Sequence, residues 1–303
     1  MGPTAAGKTA LAVDAVERHG VALISVDSAL VYRGLDIGTA KPDAQTLARA
    51  PHRLIDICDP WEPYSAAEFQ ADATREIAAI DAEGRGTALV GGTLLYFRAL
   101  IEGLSALPGA DEPIRAALAA EGERLGWPAM HARLAAVDPA AAERIHPNDP
   151  QRIQRALEVH ALTGQPLSAL QGAATGGLDR EVLRIVISPA DRAVLHARIA
   201  ERRDAMFAEG FVGEVARLMA EPWFDPELNA MRAVGYRQVI GHLCGDYDLE
   251  EARQRVLFAT RQLAKRQLTW LRRQQDAHWF DPTSPREMAR AAALISRWHD
   301  TPL

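Results

Sequence analysis

The chain of 303 residues is poor in cysteine. Cys58 and Cys244 stand far apart and outside any paired spacing, which excludes a disulfide framework and a cysteine-built zinc site. It lacks any apolar run near the roughly 20 residues that cross a bilayer, and no basic stretch leads into an apolar signal segment. No membrane partner is therefore expected, and the cytoplasm is the expected location. An excess of positive charge is missing too. The net charge of −6 and pI near 5.9 argue weakly against a nucleic-acid partner, because phosphate backbones reward basic surfaces. No repeat recurs at a fixed period, and 48% apolar residues suffice for one large core or a core carrying a smaller insert.

One local absence outweighs the global charge. From Ala252 to Gln275 there is no acidic residue, while Arg253, Arg255, Arg261, Lys265, Arg266, Arg272 and Arg273 all fall there. A solvated helical face usually interleaves both signs at i,i+4. A basic helix on an acidic protein is thus a candidate phosphate-contact surface.

The first third alternates between helical and strand-like patterns. Lys8 to His19 has helical apolar spacing, Val21 to Val26 and Thr87 to Val90 are short apolar runs, and Arg184 to Ile187 reads as a later strand of the same sheet. A helix is expected from about Asp191 to Ala208. Between them, residues 108–178 are Ala-rich and helical, with turn signals at Gly126-Trp127-Pro128, Asp138-Pro139 and Asn148-Asp149-Pro150. The expectation is an α/β fold: a parallel-sheet core of P-loop type built from 1–107 and 179–303, a helical insertion domain over 108–178, and a helical C-terminal region.

The strongest motif is Gly2-Pro3-Thr4-Ala5-Ala6-Gly7-Lys8-Thr9, which matches G-x-x-x-x-G-K-[ST]. Its glycines let backbone N–H groups turn inward around phosphate oxygens at a helix N-terminus. Lys8 is expected to reach the terminal phosphate, and the Thr9 hydroxyl to bind Mg²⁺. Such a loop ordinarily follows a buried central strand, and only Met1 precedes Gly2; the reading favoured is a natural start upstream of Met1.

A phosphate loop alone leaves kinases, GTPases and transferases open. Asp27-Ser28-Ala29-Leu30-Val31-Tyr32-Arg33, then Asp36-Ile37-Gly38-Thr39-Ala40-Lys41-Pro42, closely resembles the signature of bacterial tRNA dimethylallyltransferases, also called tRNA isopentenyltransferases. Similar blocks follow at 51–56, 64–69, 90–93, 148–153, 234–238 and 260–267, so the resemblance spans nearly the whole chain. Ala6, where that family often has Ser, is a minor departure.

The resemblance implies transfer of a dimethylallyl group from dimethylallyl diphosphate to N6 of the adenine 3′ of the anticodon, position 37, in tRNA. It makes Asp27 the general base, with Thr4 and Arg202 assisting departure of the diphosphate, though Arg198 and Arg203 lie close enough in sequence to compete for that role. Residues 2–9 hold the diphosphate. The RNA contacts it implies are Asp27, Ser28, Ala29, Leu30, Thr93, Arg115, Gln151, Arg152, Ile153, Gln154, Arg155, Arg232, Ala233, Val234, Gly235, Tyr236, Arg237, Lys265, Arg266, Gln267, Leu268, Thr269, Trp270, Leu271 and Arg272. The partners expected are the anticodon stem-loop of tRNA and dimethylallyl diphosphate, with Mg²⁺ as cofactor and a monomeric protein.

The chemistry asks for these residue types. An exocyclic adenine amine is a poor nucleophile until a base takes its proton, and a departing diphosphate needs preorganised donors and cations. A small-molecule kinase of the nucleotide or shikimate type is the runner-up, and a prenyltransferase acting on free nucleotides or a non-catalytic RNA-binding module are weaker readings. His52, Trp61, Tyr64, Phe69, Tyr96 and Trp270 are each read first as packing residues.

Overall fold

The structure is a computed structural model that describes residues 1–172, 174–274 and 276–299. Two compact units emerge, Met1–Leu100 with Asp179–Leu303, and Ile101–Leu178. In the first, the apolar run ALISV forms β1 (Ala22–Val26), buried along its whole length. Burial on both faces explains why it shows no polar alternation. It pairs in parallel with β2 (His52–Arg53) and β3 (Thr87–Gly91), in the order β2-β1-β3.

Helical crossovers join these strands. Helix α1 (Lys8–His19) opens at Gly7 and ends at Gly20, both left-handed, and its Ala12, Val13 and Ala15 pack with Val21 and Leu23. Next come α2 (Ala44–Arg49), α3 (Ala66–Ala82), started by a capping box between Ser65 and Glu68, and α4 (Leu94–Glu102).

The second unit is helical: α5 (Glu112–Leu125), α6 (Trp127–Val137), α7 (Pro139–Arg144), α8 (Pro150–Thr163) and α9 (Leu167–Leu170). The Asp-Pro signals mark real helix starts. Asp138 and Asp149 each cap the backbone N–H three residues on, with the proline in the first turn. Leu118, Met130, Leu134, Ile153 and Leu157 form a core within this unit.

The chain returns through β4 (Ile185–Ile187), α10 (Arg192–Ala208), α11 (Phe211–Met219), α12 (Tyr236–Leu243), α13 (Leu249–Leu271), β5 (His278–Phe280) and α14 (Pro285–His299). Here the sheet expectation needs correction. β4 does not extend the ladder of β1 and β3; it pairs in parallel with β5 in a separate two-stranded sheet. On its other edge β4 bonds Met1, whose amine donates to Ile185 O at 2.7 Å and whose carbonyl accepts from Ile187 N at 3.0 Å. Among the described residues no helix is long and apolar enough to cross a membrane.

Candidate active site

The loop from Gly2 to Lys8 closes by a turn, Ala6 N donating to Pro3 O at 3.3 Å. Two residues supply the left-handed backbone the loop needs, Ala5 at φ 60° and Gly7 at φ 87°. Gly7 adopts it without strain, whereas Ala5 carries a Cβ into a region that costs an L-residue about 1–2 kcal/mol. Gly2 answers a different demand: a Cβ there would stand 2.3 Å from Ile187 O. Lys8 opens α1 and turns back, its Nζ donating to Pro3 O at 2.9 Å. The ammonium therefore lies over the loop. Thr9 is exposed in the first turn, with no protein partner for its hydroxyl among the described residues.

Asp27 follows β1, at the carboxyl end of a parallel strand, where open α/β sheets place ligands. Its Oδ1 accepts from Ala29 N at 3.0 Å. The strand end is clamped to the turn after β3, with Ser28 N donating to Thr93 Oγ1 at 2.9 Å and Thr93 N to Val26 O at 3.1 Å. Only glycine fits at 91, because a Cβ would stand 2.0 Å from Val26 O.

Helix α10 separates the three arginines that sequence leaves in competition. Arg202 donates to Thr39 O at 3.0 Å and to Thr4 Oγ1 at 3.4 Å. Arg198 also reaches the loop, donating to Ala6 O at 3.4 Å. Arg203 turns to Asp204 at 2.8 Å. Arg202 thus lies at the loop as expected, and Arg198 joins it there.

Lys8, Arg202 and Asp27 act on one another. Burial lowers the Lys8 ammonium to about 8, Asp27 opposing the shift and Arg202 adding to it. Burial also lowers Arg202, again opposed by Asp27. Two cations and one carboxylate leave a positive surplus that suits a polyanion. A direct consequence is testable. Between pH 8 and the ordinary lysine range the free protein holds Lys8 neutral, so a diphosphate must recharge it on binding. Affinity for diphosphate should fall as pH rises above about 8, with proton uptake visible by calorimetry in buffers of different ionisation enthalpy. Lys8→Gln should bind weakly and lose that uptake; an unchanged pH profile in the variant would remove Lys8 from the site.

Two residues that sequence reasoning gives no such role hold the site in shape. Gln267 is buried, accepts from Thr4 N at 2.9 Å and donates to Gly92 O at 2.9 Å, so one α13 side chain ties the phosphate loop to the turn after β3. Gly92 makes room for it, since a Cβ there would stand 2.6 Å from its Nε2. Glu214 is the second. This buried carboxylate accepts from Asp36 N at 3.2 Å, Ile37 N at 2.7 Å, Gly38 N at 3.1 Å and the Tyr236 hydroxyl at 2.6 Å. It fixes the segment whose Thr39 carbonyl accepts from Arg202. Burial first, and then the Glu214 charge, push the Tyr236 phenol far up, so it remains a donor.

The residues implied as RNA contacts differ in exposure. Ser28, Ala29, Leu30 and Thr93 line the strand end beside Asp27. Gln151, Arg152, Arg232, Arg237, Lys265, Arg266, Thr269 and Arg272 are exposed, while Gln154, Ala233, Val234, Leu268 and Trp270 are partly covered. Gln267, Ile153, Tyr236 and Leu271 require correction: their side chains are buried in the helical packing and present no surface to a polymer. Gly235 is buried as well, at φ 101° against Phe211. Arg115 and Arg155 are committed elsewhere, donating to buried Glu158 at 2.8 Å and 2.7 Å. Burial raises the Glu158 carboxyl, but hydrogen bonds from Arg155, Asp111 N and Arg115 outweigh it and hold the group below its usual range.

A phosphate loop at the start of α1, a carboxylate at the end of the neighbouring parallel strand and an arginine from a later helix define a P-loop-type α/β enzyme. The chain belongs to the IPP transferase family, whose model matches residues 30–274. It is 57% identical over 300 residues to the tRNA dimethylallyltransferase of Xanthomonas axonopodis pv. citri (strain 306), covering 97% of this chain and 92% of that one. The tRNA dimethylallyltransferase of Stenotrophomonas maltophilia (strain R551-3) is 55% identical over 302 residues, covering 98% and 95%. Among solved structures, the full-length tRNA isopentenylpyrophosphate transferase from Bacillus halodurans superposes with a TM-score of 0.71 at 38% identity, covering 99% of this chain and 95% of that one. A eukaryotic dimethylallyltransferase acting on tRNA gives a TM-score of 0.80 at 25% identity, covering 98% and 77%.

Proposed function

We propose that this protein transfers a dimethylallyl group from dimethylallyl diphosphate to N6 of the adenine 3′ of the anticodon, position 37, in tRNA, as a monomer in the cytoplasm. The observation that carries this reading is the electrostatic triad of Asp27, Lys8 and Arg202 at the phosphate loop. The allylic C–O bond breaks and its electron pair leaves on the diphosphate. The growing charge meets the loop N–H groups, Lys8 and Arg202, while Thr4 keeps Arg202 aimed at the loop. N6 bonds the allylic carbon as Asp27 takes its proton. To reach a carboxylate at the strand end, the adenine must leave the stack of the anticodon loop.

The site also suits Mg²⁺. Thr9 offers one unpartnered hydroxyl, and the described residues hold no cluster of His, Cys, Asp or Glu able to bind a metal by themselves. That donor set fits a hard cation completed by diphosphate oxygens and water. When bound, Mg²⁺ would neutralise charge on the leaving group.

Lys265 and Arg266 on α13 and Arg272 at its C-cap are exposed and make no ion pair among the described residues, whereas Arg253 and Arg255 are paired with Asp204 and Glu251. These three cations contact RNA phosphates, as do exposed Gln151 and Arg152 on α8 in the helical insertion domain. Replacing any of the three with Ala should weaken all substrate tRNAs about equally and reduce the log–log salt slope by about 0.7. Titrations against salt, with circular dichroism to confirm the fold, check this; identical slopes would leave the helix a solvated face. The reaction itself is tested by incubating the protein with anticodon stem-loop RNA and dimethylallyl diphosphate, then weighing the nucleosides. An adenosine without added prenyl mass defeats the proposal, and γ-phosphate transfer from ATP would favour a kinase.

A further inference from the structure

Arg261 differs from the other basic residues of α13. It stands at helical spacing between Leu257 and Ala264, and those two pack with Leu195 and Ile199 of α10. Arg261 therefore enters the seam between the two helices, while Lys265, one turn on along the same side, is exposed. Its Nε is buried and has no hydrogen-bond partner, and no carboxylate pairs with its guanidinium among the described residues. An arginine that merely packs its stem and wets its head would leave that nitrogen to water; here it is shut off from water and unpaired.

Helix α10 brings two further basic groups near Arg261, half-buried His196 and exposed Arg192. Arg192, in its first turn, donates from Nε to His196 Nε2 at 3.2 Å, so the imidazole accepts there and is neutral. Burial first, then the charges of Arg261 and Arg192, hold His196 below the ordinary histidine range. No carboxylate lies within ion-pair distance of any of the three among the described residues. These helices do pair arginines elsewhere: Arg203 and Arg253 share Asp204, and Arg255 takes Glu251. Arg192, His196 and Arg261 thus form a basic cluster without an ion pair near the start of α10, whose end Asp191 caps, with one buried donor lacking an acceptor.

We infer that Arg192, His196 and Arg261 form a binding site for one backbone phosphate of the RNA substrate. This rests on the reading of RNA as substrate and adds to it a contact dependent on pH. As the phosphate oxygens approach, the Arg261 side chain turns out of the seam so that its guanidinium and that of Arg192 donate to them, and His196 Nε2, released from Arg192, gains a proton from solvent and donates as well. The facing groups that set His196 are Arg192 on its own helix and Arg261 on α13; the phosphate adds the one negative charge.

The test follows His196 by ring NMR in the full-length protein, assigned by His196→Gln, with and without anticodon stem-loop RNA. Its titration should move up by about one to three units with RNA bound, and RNA affinity should fall as pH rises through that range. Arg261→Met, which keeps an unbranched apolar stem in the seam, should abolish the movement and lower the salt slope by about 0.7. Arg192→Gln, at an exposed position, gives the same readout should the seam variant fail to fold. RNA that binds while His196 titrates as in the free protein overturns the site alone. So does movement with inorganic phosphate but none with RNA, which would mark a free-anion site. Parent protein that fails to bind the RNA overturns both this site and the substrate reading.

Discussion

Asp27→Asn should bind diphosphate about as tightly as the parent yet transfer the allyl group two to four orders of magnitude more slowly, the range of a lost general base. The substitution is nearly isosteric, and an Asn oxygen can still accept from Ala29 N, so the turn after β1 should persist. What disappears is the proton acceptor and one negative charge. That charge opposes the lowering of both Lys8 and Arg202, so its loss lowers Lys8 further while removing a repulsion from the diphosphate, two effects of opposite sense on binding. Rapid-quench measurement of a single turnover, beside calorimetric diphosphate binding, separates the two steps. A rate within threefold of the parent would remove Asp27 from the chemistry, and a parallel collapse of diphosphate affinity would make its role electrostatic.

Glu214→Ala should destabilise the first unit by about 3 kcal/mol or more, because it strands the N–H groups of residues 36–38 and the Tyr236 hydroxyl, and a buried donor left unpaired costs about 1–3 kcal/mol. Function should suffer beyond stability. The freed segment includes Thr39, whose carbonyl accepts from Arg202, so diphosphate affinity should drop even at temperatures where the variant is folded. Glu214→Gln keeps one acceptor and the shape, and should fall between. Denaturant unfolding with diphosphate titration at low temperature checks both effects; a loss under 1 kcal/mol would mean the segment is held by the packing of Gly38 against Phe211 and Tyr236 instead.

Legibility in the sequence followed signal length. Lys8 to His19 and the long basic helix have enough turns for period and caps to agree, and Asp27 is marked by the apolar run before it. β5 has three residues and β2 two, too few to show alternation; β5 finds its partner about ninety residues away in β4, a pairing no local pattern records. Glu214 was open to discovery, since a carboxylate in line with Phe211, Val215 and Leu218 sits on the apolar stripe of α11 and needs buried donors. Gln267 was masked by composition. Its neighbours Lys265 and Arg266 group it with a basic run, while its spacing from Ala264 and Leu271 turns it inward. Arg155 pairs with Glu158 one turn along α8, which spacing alone gives, whereas the pairing of Arg115 with Glu158 depends on the packing of α5 against α8.

The position of Gln267 among Lys265, Arg266 and Arg272 makes the rotational setting of α13 a shared constraint. Each residue turns the helix by about 100°, so inserting one residue between Val256 and Lys265 would swing the Gln267 amide off Thr4 N and Gly92 O and put Arg266 in its inward place. Deleting one would instead put Lys265 in the buried place of Ala264. Any change to the outward side chains must therefore be made by substitution, because the phase of this helix also holds the phosphate loop to the turn after β3.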